Sequence, residues 1–298
     1  MTSSVLLLGG ATASGKSESA VALAQRFDAE IIGADSRQIY RDMPIGTAAP
    51  SPAQRHAIPH HLVAFLDPYE RYSAARFAHD AMAAIDAIHA RGRRAIVVGG
   101  TGFYLRALAG DVALAPQHDE SLRERLAQEA RVHPPSVLWD WLNARDPRRA
   151  AALDPNDAYR VVRALEIALA PERTHTDRAS LATLRAASIP FVKLALDVPL
   201  EVIDARIEQR ADAMVDGGLL EEAERIGERA IAANAVGYPQ ALAHVRGWST
   251  REELRASLVR ATRRYARRQR SWLRGEPGIS WVAPASLEAA AREKLDWP

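Results

Sequence analysis

A chain of 298 residues is long enough for one large or two modest domains, and 48% hydrophobic with 26% charged residues excludes a disordered, collagen-like or low-complexity chain. Cysteine is absent, which excludes a disulfide scaffold, a thiolate zinc site and a cysteine nucleophile and suits a reducing compartment. The formal charge of +2 hides a division: residues 251–274 carry nine Arg against Glu252 and Glu253, a surplus of seven, so the remaining chain holds −5. A mostly acidic body with one cationic element is how a protein meets a polyanion.

In chain order, Val5 to Leu8 is a short apolar run ending in Gly9-Gly10, and Lys16 to Phe27 carries Ala20, Leu23 and Phe27 at helical spacing. This predicts strand, glycine turn and helix. Ile31-Ile32 lead into Asp35 as a second strand. A helix over 74–90 puts Phe77, Ala81, Ile85 and Ile88 on one face, Arg91-Gly92 ends it, and Ala95 to Val98 runs as a strand into Gly99-Gly100-Thr101-Gly102. Three strand ends thus deliver polar or glycine-rich loops. In an open parallel α/β sheet the ligand lies beyond the carboxyl ends of the strands, so the three loops are expected to converge.

Over 112–189 the character changes. A helical pattern over 120–131, punctuation by Pro134-Pro135 and Pro147, and the bulk of Trp139 and Trp141 predict a mostly helical insertion. Phe191 to Leu196 reads as a returning strand, followed by a helix from Leu200 to about Val215 that Gly217-Gly218 closes. The expected organisation is an α/β core formed by 1–111 and 190–298, a parallel sheet flanked by helices, with the insertion at 112–189. No leader pattern precedes Val5 and no run approaches the ~18 apolar residues of a membrane span, so a soluble cytoplasmic protein without a membrane partner is expected.

Gly10, Ala11, Thr12, Ala13, Ser14, Gly15, Lys16 and Ser17 satisfy G-x-x-x-x-G-K-[ST] in the required context, with an apolar strand before and a helix after. In such a P-loop the glycines let backbone N–H groups turn inward around a diphosphate, and the helix N-terminus adds partial positive charge. Lys16 supplies a point charge and Ser17 can ligate Mg²⁺. The rival account is a glycine turn with a solvated lysine. Against it stands the scarcity of lysine: only Lys16, Lys193 and Lys294 occur beside 36 Arg, and a slender ammonium reaches between phosphate oxygens where a guanidinium does not.

Asp35 is a candidate base or metal-organising carboxylate, although a strand-end turn Asp is common. Thr101 lies between glycines that permit close backbone approach to a ligand, and a turn threonine is its plainer account. Arg206 and Arg210 are four apart on one helix and point the same way, toward a departing phosphate group or toward surface partners Glu208 and Asp212. His60-His61, with no Cys and no matching carboxylate spacing, favours a hydrogen-bonding loop over a metal site. In the helix over 252–274, Leu254, Leu258, Ala261, Tyr265 and Trp272 form an apolar stripe, and Arg263, Arg267, Arg270 and Arg274 line another face. No acidic residue interrupts the eight Arg from Arg255 to Arg274, so a nucleic-acid footprint at Arg263, Arg267 and Arg270 is expected over a merely solvated face.

Together these parts suggest an enzyme acting on a nucleic acid with a diphosphate-bearing small molecule. A P-loop holds a diphosphate equally well whether phosphorus or the attached carbon is transferred. The third strand ends in glycines and no Asn-Lys-x-Asp motif occurs, which disfavours a GTPase or motor ATPase. A P-loop small-molecule or nucleotide kinase and a non-enzymatic RNA-binding protein remain as alternatives.

The chain resembles the tRNA dimethylallyltransferase (tRNA isopentenyltransferase) family over nearly its whole length. The carrying blocks are GATASGKS at 10–17, ADSRQIYRDMPIGTAAPS at 34–51, PHHL at 59–62, YSAARF at 72–77, VGGTGFYLRAL at 98–108, RVVRALEI at 160–167, GLLEEA at 218–223, VGYPQ at 236–240 and TRRYARRQRSWLR at 262–274. The resemblance implies a P-loop NTPase-like core and a monomer. It further implies transfer of a dimethylallyl group from dimethylallyl diphosphate to N6 of the adenosine just 3′ of the anticodon, position 37 of tRNAs reading codons that begin with U, with Mg²⁺. Lys16, Ser17 and the loop amides would hold the diphosphate, Asp35 would be the general base, and Thr101 would hydrogen-bond in the reaction channel. Asp35, Ser36, Arg37, Gln38, Arg123, Tyr159, Arg160, Val161, Val162 and Arg163 would touch the tRNA anticodon stem-loop. The chain departs from the family pattern at Ala11, usually Pro, at Tyr159, usually Gln, at Asn234 and Pro239, where basic residues are frequent, and at 170–178, which lacks the usual Thr-Gly.

Overall fold

A computed structural model of the protein describes residues 4–112, 114, 120–169 and 182–297, so the departure at 170–178 lies outside the described residues. Among those described, six strands form one parallel sheet: β1 Val5–Gly9, β2 Ala29–Gly33, β3 His60–His61, β4 Arg94–Gly99, β5 Phe191–Leu196 and β6 Ile279–Val282, in the order β3-β2-β4-β1-β5-β6. The continuous apolar run of β1 follows from its place, since a strand paired on both sides and covered on both faces has no polar side to alternate with. From β1 the chain steps over β4 to build one half of the sheet and from β4 it steps over β1 to build the other. The crevice at the carboxyl ends of β1 and β4 is therefore the topological switch point where such sheets bind ligands.

The helices are α1 Lys16–Arg26, α2 Pro52–Ala57, α3 Ala74–Ala90, α4 Gly102–Ala109, α5 Glu120–Val132, α6 Pro135–Arg145, α7 Pro147–Ala151, α8 Ala158–Leu169, α9 Leu200–Asp216, α10 Leu219–Ile226, α11 Tyr238–Val245, α12 Arg251–Arg274 and α13 Leu287–Leu295. Both faces of the sheet are covered by helices of its own unit, and α5 to α8 belong to a second one. Alternate residues of β1 serve different layers: Leu6 and Leu8 join Leu23, Ile203 and Leu258 on one face, while Val5 and Leu7 join Phe77, Ile85 and Leu108 on the other. No helix among the described residues is long and apolar enough to cross a membrane.

The chain divides into two compact units, Met1–Val112 with Leu181–Pro298, and Ala113–Ser180. The second has a core of its own, in which Leu126, Leu138, Leu142, Val161 and Leu165 bring α5, α6 and α8 together. The expected insertion ended at 189, and the structure ends it at 180. The cause is local: the Leu184 N–H donates to the Leu108 carbonyl at 2.9 Å, and Leu184 and Ile189 are buried under the sheet beside α4. His60-His61, read as a loop, forms the edge strand β3, with the His61 Nε2 2.6 Å from Glu30 Oε2.

The pairing of α9 with α12 corrects the basic ridge. Asp204, Glu208, Asp212 and Asp216 recur every four residues on α9 and face arginines of α12 running the opposite way. Arg251 pairs with Asp216, Arg255 with Asp212 at 2.5 Å, Arg263 with Glu208, and Arg267 with Asp204 at 2.8 Å. Arg270 closes the row on Asp197 at 2.9 Å. Arg263, Arg267 and Arg270 are thus each paired with a carboxylate of the same unit, Arg267 while still exposed. An uninterrupted run of arginine along the sequence does not reveal an acidic stripe arriving from a helix some fifty residues earlier.

Candidate active site at the carboxyl ends of the strands

The loop after β1 turns through left-handed conformations at Ala13 (φ 62°) and Gly15 (φ 87°), and α1 begins at Lys16 with no side chain capping its first N–H groups. Those amides are left for an anion, and the helix dipole favours one there. Lys16 is 9% exposed. Burial lowers its ammonium pKa and Asp35 offsets this only in part, so a bound anion would stabilise the charge.

Arg206 and Arg210 come from the side of α9 opposite the acidic stripe, since two residues are over half a helical turn apart. Arg210 donates to Thr12 Oγ1 at 3.2 Å and Arg206 to the Ala13 carbonyl at 3.3 Å. The acids offered as their surface partners, Glu208 and Asp212, instead pair with α12. Burial lowers the Arg210 pKa, partly offset by Glu18.

The P-loop opens onto a cavity of about 420 Å³. Lys16, Ser17, Asp35 and Arg210 line its polar side, and Ile207, Ala211, Met214, Val236 and Leu258 supply an apolar wall. Asp35 Oδ1 accepts the Arg37 N–H at 2.9 Å, an Asx-type turn that fixes the carboxylate just past β2. Thr101 Oγ1 accepts the Ser36 N–H at 2.9 Å and lies 3.2 Å from Ser36 Oγ, so its hydroxyl ties the loop after β4 to the loop after β2. Gln38 donates to the carbonyls of Thr47 and Ala48 at 3.1 and 2.9 Å, shaping the cavity rim rather than extending outward.

Two supports escaped sequence reasoning. Glu222, 1% exposed, accepts the N–H groups of Ile45 and Gly46 at 3.0 and 2.7 Å and the Tyr238 hydroxyl at 2.7 Å, which holds the 45–49 rim from below. Gln269, 6% exposed, accepts the Thr12 N–H at 2.8 Å and donates to the Gly100 carbonyl at 2.9 Å. A side chain on Gly100 would collide with that amide, which gives the glycine its reason. The available signal was a lone amide within the stripe Ala261, Tyr265, Gln269, Leu273, because a polar residue on a buried helical face needs partners.

The RNA contacts expected in the second unit lie on α5 and α8. Arg123 is half-buried, Tyr159 is 77% exposed, and Arg160 lies 3.3 Å from Asp157. Arg163 pairs with Glu166 at 2.7 Å and Val162 is half-buried. Val161 is fully buried in the unit's core and its side chain is therefore not an RNA contact, because the helical period turns it inward with Leu165.

Among the described residues no group of three or more His, Asp or Glu is placed to hold a metal. The donor set fits Mg²⁺ in another way: this ion commonly keeps waters and substrate phosphate oxygens and needs few protein ligands, and Ser17 and Asp35 line the same cavity.

Fold and site together define a P-loop α/β protein whose glycine-rich loop and Asp35 line one partly apolar cavity. A model of the IPP transferase family matches residues 38–276, and one described as isopentenyl transferase matches residues 3–63. The chain is 48% identical over 293 residues to a tRNA dimethylallyltransferase of Anaeromyxobacter dehalogenans, covering 97% of this chain and 98% of that protein. It is similar to the solved tRNA isopentenylpyrophosphate transferase of Bacillus halodurans, at 33% identity and TM-score 0.70 over 98% and 97% of the two chains. A eukaryotic dimethylallyltransferase solved acting on tRNA superposes at TM-score 0.75 and 27% identity, over 99% of this chain and 77% of that one. The chain belongs to the IPP transferase family, that of the tRNA dimethylallyltransferases.

Proposed function

We propose that the protein transfers a dimethylallyl group from dimethylallyl diphosphate to the exocyclic N6 of the adenosine at position 37 of tRNA, in the cytoplasm and as a monomer. The observation that carries this reading is that one cavity combines Lys16 and Arg210 for a diphosphate, the Asp35 carboxylate, and an apolar wall of Ile207, Met214 and Leu258. The apolar wall suits the hydrocarbon tail of a prenyl diphosphate, and the relatives this chain matches are named dimethylallyltransferases rather than kinases.

The adenine amine is a poor nucleophile because its lone pair is delocalised into the ring. As the N–C bond forms, Asp35 accepts the amine proton, and the bond between C1 and the diphosphate oxygen breaks with its electron pair leaving on that oxygen. The growing negative charge meets the α1 N–H groups, Lys16 and Arg210, which are already oriented and so need no reorganisation. Ser17 and the diphosphate oxygens would hold Mg²⁺, which supplies further neutralisation of the leaving group when bound. The target base must leave the anticodon-loop stack to reach Asp35, at a cost of a few kcal/mol.

Incubating the protein with labelled dimethylallyl diphosphate and unmodified tRNA tests the reading. Label is expected in N6-isopentenyladenosine without ATP. Label absent from tRNA, or a strict need for ATP, would return the kinase reading.

A further inference from the structure

The nine arginines of α12 fall into two classes. Five are closed by carboxylates of α9 or by Asp197, whereas Arg260, Arg264, Arg268 and Arg274 make no ion pair among the described residues. All four are exposed. Arg260, Arg264 and Arg268 recur at four-residue spacing and form one stripe about 12 Å long. Its inner end lies at the cavity, where Arg268 and Arg37 line the wall that also holds Asp35.

Like charges four apart on a helix destabilise it. The rest of the chain carries a net −5, and acids from α9 neutralise the neighbouring face of the same helix. Three adjacent exposed arginines left without such partners repel one another, and a bound polyanion would relieve that repulsion. The guanidinium fork binds phosphate with two parallel hydrogen bonds, so a row of forks leading out of a cavity fits a phosphate backbone better than a single anion.

We propose that Arg260, Arg264 and Arg268 are the surface of α12 that binds the RNA backbone, leading the strand whose base enters the cavity, and that the face of Arg263, Arg267 and Arg270 is structural. This rests on the reading of the substrate as tRNA. It reverses the assignment that sequence alone suggests.

The test compares the binding of an anticodon stem-loop RNA across a salt series for the wild-type protein, for R260Q/R264Q/R268Q and for R263Q/R267Q/R270Q. Each lost phosphate contact removes about 0.7 from the slope of log affinity against log salt for a single strand. The first variant is expected to lose about 2 from that slope, and the second to keep the wild-type slope while unfolding at lower temperature. Should the first variant fold poorly, R260Q/R264Q, remote from the cavity, is expected to lose about 1.4. A stripe variant with the wild-type slope, or equal losses in both triple variants, overturns the proposal. So does stripe-dependent sedimentation with phosphatidylserine vesicles while RNA binding is unchanged. A wild-type protein that neither binds the RNA nor prenylates it defeats the functional reading itself; an active wild type beside an unaffected stripe variant defeats only the stripe.

Discussion

The side-chain amide of Gln269 reaches the Thr12 N–H at 2.8 Å across 257 residues of sequence, and its other end donates to the Gly100 carbonyl. One side chain of α12 thereby sets the spacing between the P-loop and the loop that carries Thr101. Thr101 in turn fixes Ser36 beside Asp35. The P-loop and Asp35, the proposed base, are registered against each other through Gln269 and Thr101.

Gln269→Leu removes both hydrogen bonds and leaves polar groups unpaired, at a cost of about 1–3 kcal/mol each where they are buried. Gln269→Glu retains an acceptor for Thr12 but loses the donor for Gly100. Both variants are expected to lower kcat more than they raise the donor KM, with Gln269→Leu also unfolding at lower temperature. Steady-state kinetics together with thermal unfolding checks this, and an unchanged kcat in both variants would remove the positioning role.

Lys16→Ala is expected to abolish detectable transfer while stem-loop binding persists, since Lys16 lies within the phosphate loop and not on the exposed face of α12. Asp35→Asn is expected to lower turnover by about 10²–10⁴, the usual contribution of a positioned base. Its affinity for inorganic diphosphate, measured by calorimetry, should change little.

Arg210 lines the cavity and reaches Thr12 Oγ1, whereas Arg206 bonds the Ala13 carbonyl from outside it. Arg210→Ala is therefore expected to raise the KM for dimethylallyl diphosphate about tenfold, equivalent to ~1.4 kcal/mol. Arg206→Ala should raise it less. Equal effects would mean that both arginines reach the diphosphate.

Glu30, 2% exposed, anchors the start of β2 to Arg91 and His61. Burial pushes its carboxyl up, but the hydrogen bonds from Arg91 and His61 outweigh this and hold it at about 2, below the ordinary 4.5. For a carboxyl depressed on folding, the stabilisation is complete above the unfolded value and is lost as pH falls toward the folded one. Denaturant unfolding should therefore show stability falling between pH 4.5 and about 2, with Glu30→Gln removing that part of the pH dependence.

The placement of the candidate site was legible because its pattern is local. The P-loop is eight consecutive residues between a strand and a helix, and Asp35 and Thr101 directly follow strands marked by apolar runs, so the loops meet at one end of the sheet. The helical patterning of the insertion was legible, although its end was not, since Leu184 and Arg185 bond back to the carbonyls of Leu108 and Ala109 in α4, which no local pattern records.

Local sequence was sufficient to determine strands β1, β2, β4 and β5, the turn at Gly10 to Ser17, and the sign of the charge on α12, because propensity, periodicity and backbone freedom act within a few neighbouring residues. Only the tertiary structure decided which arginines are consumed internally, that Gln269 and Glu222 hold the cavity's two rims, and that Val161 faces inward. These depend on which face of one helix meets a partner distant in the chain, and hydrogen bonds and ion pairs form with whatever that meeting brings within about 3 Å.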